Sequence, residues 1–109
     1  MTTFDDREQA FEKQFQHDQE LQFKANARRN KMLGLWAAGL MGKAGADAEA
    51  YSRGIVMADF EKAGEHDVIH TLMRDLAAAG KPVEEHTIRK QGERLLADAK
   101  RQIMAETKK

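Results

Sequence analysis

Residues 67–80 read DVIHTLMRDLAAAG, and this short run decides the fold class. Val68, Ile69, Leu72, Met73 and Leu76 fall at i, i+1, i+4, i+5 and i+8, an apolar stripe with the period of an α-helix and not of a strand. Asp67 stands where an N-cap belongs, and Gly80 followed by Pro82 stops the run. Outward from it, the same period recurs. Toward the C-terminus, residues 84–105 carry Ile88, Leu95, Leu96, Ala99 and Ile103 on one face. Toward the N-terminus, residues 46–63 form a further helix that Gly64 is placed to end with a left-handed cap. A first helical stretch starts at Phe4, with Thr3 as N-cap and Asp6 three residues on in the manner of a capping box. It meets no breaker before Gly42–Gly45, and Gly34 and Gly39 soften its last turns. Its expected core stripe is Leu21, Ala25, Met32, Leu35 and Leu40, with Trp36 also in the core. Connections of a few residues make consecutive helices neighbours. The expected architecture is all-α: a small four-helix bundle with an N-terminal amphipathic arm, helical or partly disordered.

Composition agrees. Of 109 residues 33% are charged and 6% aromatic, so the core must be aliphatic, and one small domain exhausts the length. Eighteen basic residues balance eighteen acidic ones, which argues against bulk electrostatic binding of nucleic acid. There is no cysteine, hence no disulfide framework or thiolate nucleophile. The N-terminus, MTTFDDREQ, lacks the basic and apolar regions of a secretory signal, and no apolar run is long enough to insert in a membrane. A soluble intracellular protein is expected.

The first stretch changes character near residue 20. Met1–Glu20 holds six acids against Arg7 and Lys13, whereas Leu21–Lys43 holds five bases and no acid. Phe4, Phe11 and Phe15 share one helical face, with Ala10 beside them. On a continuous helix the body's stripe would be rotated from that face by roughly 120°. Three of five phenylalanines thus sit on an arm, residues 1–19, whose stripe does not join that of the body, residues 20–109. Such an arm either folds back and buries its rings or waits for a groove in a partner.

Other motifs carry less. AAGLMGKA at 37–44 departs from a phosphate-binding loop at both ends, with Ala37 for the first glycine and Ala44 for the hydroxyl. It reads as a helix exit and turn. His66 and His70 have a spacing that can hold a metal, but no third ligand is evident, and no metal is expected. Arg28, Arg29 and Lys31 form the densest basic cluster, a solvated face, an internal counter-charge for the arm or a docking patch. No catalytic constellation stands out, and no enzyme is expected.

FDDREQAFEKQFQHDQELQFKANARRNKMLGLWAAGLMG (4–42), above all FKANARRNKMLGLWAA (23–38), together with VEEHTIRKQGERLLADAKRQIM (83–104), resembles the zeta subunit family of alphaproteobacterial F-type ATP synthases. The resemblance implies a four-helix ATPase inhibitor. In that family the N-terminal segment enters a catalytic α/β interface of the synthase head and stops ATP hydrolysis. It implies, here, an inhibitory segment at 1–19 and partners in the α and β subunits of the head. The protein would then be cytoplasmic, peripheral to the inner membrane through that head, with no nucleic acid and no membrane insertion. The partner-binding set would be Phe4, Arg7, Ala10, Phe11 and Phe15 on the arm, with Arg28, Arg29 and Lys31 on the body. Adenine nucleotide binding has been associated with the family, but no residue here is assigned to it, and no cofactor is otherwise expected. The alternative is a helical binding module of the same fold, for a nucleotide or a protein, without effective inhibition.

Overall fold

The computed structural model describes residues 13, 17–62 and 67–107. Four helices follow in order: α1 (Gln19–Leu40), α2 (Gly45–Glu61), α3 (Val68–Ala78) and α4 (Glu85–Thr107). No strand occurs among the described residues, and the all-α four-helix expectation holds. α1 is the hub, packing most extensively on α2 and α4, while α3 closes the bundle against α4 and α1.

Local chemistry sets the ends. Asp18 caps α1, its Oδ1 accepting from the backbone N–H of Glu20 (3.0 Å) and Leu21 (3.3 Å). Asp67 caps α3 in the same way through the N–H of Ile69 and His70. α1 and α3 both leave through a left-handed glycine. Gly42 has φ +86° and Gly80 φ +76°. The next residue then donates back to a carbonyl five positions earlier, Lys43 to Ala38 and Lys81 to Leu76, at 2.9 Å in each case. The motif at 37–44 is therefore a helix exit and turn.

The main core joins Leu33 and Ala37 of α1, Ile55 of α2, Val68, Ile69, Leu72 and Leu76 of α3, and Ile88 of α4, with Trp36, Tyr51, Met73 and Leu95 half-buried around it. Leu21, Ala25, Leu96 and Ile103 form a second cluster where the start of α1 meets the end of α4. The α3 and α4 stripes are as expected.

Three readings of the first stretch are corrected or lie beyond view. Asp18 is extended (φ −108°, ψ 105°) between helical His17 and Gln19, so one unbroken helix from Phe4 does not form. Its carboxylate offers the backbone a cap, and the chain takes it. The α1 stripe is Leu21, Ala25, Asn30, Leu33, Gly34, Ala37 and Ala38; Met32 and Leu35 are half-buried and Leu40 is exposed. Small residues displace the large ones because α2 lies close: a Cβ on Gly34 would stand 3.0 Å from Ser52 Cα. Finally, the Thr3 cap lies outside the described residues, as does the Gly64 stop expected for the second helix; α2 ends at Glu61 with Lys62 as its C-cap.

Candidate functional site

Of the sequence-predicted site residues, Phe4, Arg7, Ala10, Phe11 and Phe15 lie outside the described residues. The three body cations sit within about one turn of α1, and each is directed to a different internal acceptor. Arg28 grips Glu106 of α4 with both terminal guanidinium nitrogens, at 2.5 and 3.0 Å, and this hydrogen bonding raises its pKa further. Arg29 donates Nε–H to Asn30 Oδ1 at 2.8 Å. Burial lowers the Arg29 pKa, with the charge of Asp59 opposing. Lys31 is more than half exposed and only 3.9 Å from Glu49 of α2. Arg28 thus ties α1 to α4 and Lys31 faces α2, whereas Arg29 bonds within α1 and feels the charge of Asp59 of α2, so the three do not converge on one point.

Beside them lies a feature that the sequence reading missed. Phe23 of α1 and Phe60 of α2 meet edge to face, with centroids 5.7 Å apart at 75°. Both stay outside the core, 55% and 63% exposed. Together with Asn26, Ala27, Asn30, Val56 and Asp59 the rings line a groove of about 310 Å³ along the α1–α2 seam. Its floor is polar and hydrogen-bonded. Buried Asn30 donates Nδ2–H to Asp59 Oδ2 at 3.0 Å while accepting from Arg29. A signal for the groove was present: Phe23 falls two residues after Leu21 and two before Ala25, which places it roughly opposite the buried face.

Two further clusters are structural in geometry. Tyr51 O–H donates to Asp75 Oδ2 at 2.7 Å across the α2–α3 seam, and burial, then this bond, push the phenol's pKa well up. At the α3–α4 end, His70 lies between Asp67 (2.8 Å) and Glu85 (3.3 Å), and Glu85 accepts from Arg89 Nε at 2.8 Å. The bonds from Arg89 and then His70 hold the Glu85 carboxyl below its ordinary range. His66 lies outside the described residues, among which no side-chain group has an arrangement that could hold a metal ion.

No helix of the described residues is long and apolar enough to cross a membrane. Nothing among curated protein sequences matches the chain. A protein solved by solution NMR is 46% identical, superposes with a TM-score of 0.66, and covers 79% of this chain and 98% of its own. A family model described as ATPase inhibitor subunit zeta matches residues 1–102, the N-terminal segment and all four helices nearly to the end of α4, and the chain belongs to that family of ATPase inhibitor subunits.

Proposed function

We propose that this protein is an inhibitory regulatory subunit of an F-type ATP synthase and stops ATP hydrolysis by inserting its N-terminal helix, residues 1–19, into a catalytic α/β interface of the head. The observation that carries this reading is the reach of the family match, which begins at residue 1 and so includes the arm. Phe4, Phe11 and Phe15 supply the anchor face, with Ala10 allowing close approach and Arg7 at its polar border. Rotary hydrolysis requires the interface to open and close. Each ring buried there stabilises one state by roughly 1.5–3 kcal/mol, so three rings suffice to trap it. The body holds the arm at the mouth of the interface, and of its cations the exposed Lys31 is best placed to meet an acidic rim.

The test is co-purification with the cognate synthase head followed by an ATP hydrolysis assay. Association with loss of hydrolysis is expected. Association with full hydrolysis would reduce the protein to a helical binding module.

A further inference from the structure

The α1–α2 groove is an apolar surface with no cover among the described residues. Two phenylalanines stand together in water there, an arrangement that marks a contact site. We propose that in the free protein the occupant is this chain's own N-terminal segment, residues 1–16, lying antiparallel to α1 with Phe11 and Phe15 against Phe23 and Phe60. This goes beyond the inhibitory reading, since it needs no synthase.

Three observations choose this occupant. The first is the hinge. Extended Asp18, its carboxylate tied to the first turn of α1, breaks the helix at the junction, so the preceding chain need not continue along the α1 axis. The second is reach. In an antiparallel helical pair, the residue n places before Asp18 lies level with the residue n places after it. Phe15 and Phe11 then stand at the levels of residues 21 and 25, bracketing Phe23, which is about 7.5 Å along the axis at 1.5 Å per residue. No partner from solution has a comparable effective concentration.

The third is charge. Arg53 precedes the groove-lining Val56 and Phe60 of α2 by three and seven residues, a spacing that puts it on their side of the helix; it is exposed and has no ion-pair partner among the described residues. The same register brings Asp5 and Asp6 to the levels of residues 31 and 30, toward the Arg53 end of the groove. Phenylalanines meet the aromatic end and acids the basic end. A reversed direction would give neither match.

The absence of cysteine makes the test clean. In the full-length chain, Gln9→Cys carries a nitroxide on the side of the arm away from the phenylalanines. Paramagnetic broadening of backbone amides is then measured by NMR. The amides of Asn26, Val56 and Phe60 are expected to lose intensity while those of Thr71–Ala78 keep it. Phe11→Ser with Phe15→Ser on the arm, and separately Phe60→Ser on the exposed rim, should each restore the lost intensity with the rest of the spectrum unchanged. Broadening confined to the first turn of α1 would overturn the proposal, as would broadening that survives both sets of substitutions. So would broadening that is equally strong when spin-labelled chains are mixed with isotope-labelled chains carrying no nitroxide, since the occupant would then be a second copy.

Discussion

Asn30 shows how much one polar side chain can decide. It is 1% exposed, bridges Arg29 and Asp59, and sits where the α1 period calls for an apolar residue. Removing it takes a donor from Asp59 and the acceptor from a desolvated guanidinium, so Asn30→Ala should destabilise by about 1–3 kcal/mol. For a domain of this size that is a fall in Tm of about 4–8 °C per kcal/mol, readable in a thermal melt followed by circular dichroism. Exposed Asn26, four residues earlier, is the control, and its alanine variant should stay within about 0.5 kcal/mol of wild type. At this scale the sequence was only half legible. The run Arg28-Arg29-Asn30-Lys31 announced a basic cluster, but consecutive helical residues diverge by 100°, so adjacency in sequence hid three separate partners. Nothing marked Asn30 within that run, because its acceptor, Asp59, comes from a different helix.

Helices α3 and α4 were legible because large aliphatic residues fill their inner faces, which is the pattern that a 3.6-residue period detects. α1 was not, because its inner face against α2 is built from Gly34, Ala37 and Ala38, and close approach of two backbones leaves no hydrophobic signal. Gly34→Ala tests this. Its new Cβ would stand 3.0 Å from Ser52 Cα and 3.2 Å from Ser52 Cβ, backbone-near atoms that yield only if α2 shifts. Overpacking of about 1–3 kcal/mol should outweigh the gain in helix propensity of up to about 1 kcal/mol, and Tm should fall. Gly54→Ala, in the middle of α2 with nothing within 4 Å, should instead raise it. The α3–α4 junction makes a prediction of a different kind. Glu85 is half-exposed and held below its ordinary pKa by Arg89 and His70. A depressed folded value means its contribution is present above the unfolded carboxylate pKa and is lost as pH falls through the folded value. The Tm difference between wild type and Glu85→Gln should therefore be largest near neutrality and shrink through the acid range, with salt reducing it throughout.

For the molecule as a whole, the core clusters of the described residues draw on α1–α4 and start at Leu21. A chain lacking residues 1–19 should keep a cooperative melt and lose inhibition; a molten truncated chain would make the arm part of the core. The bundle was thus readable from sequence, whereas Asp18's hinge was not, because a carboxylate on a helix surface and one capping a new helix look alike until the backbone is seen. That hinge separates the body that folds from the segment proposed to act, and it frames the decisive comparison. Phe11→Ala with Phe15→Ala removes two rings from the wedge, about 3 kcal/mol or more at roughly 1.5–3 kcal/mol each. Inhibition of the cognate synthase head should then weaken on the order of a hundredfold or more. Glu8→Gln, on the charged side of the arm, should act mainly on the rate of encounter and weaken inhibition far less. Phe60→Ser should move the other way. If the groove holds the arm in the free protein, only the released fraction can enter the head, and the apparent affinity is reduced by that fraction. Opening the groove raises it, so Phe60→Ser should inhibit at lower concentration than wild type. A variant at Phe60 that inhibits less well would place that ring in the synthase contact itself, and equal inhibition by wild type and the Phe11, Phe15 variant would rule out the helical wedge.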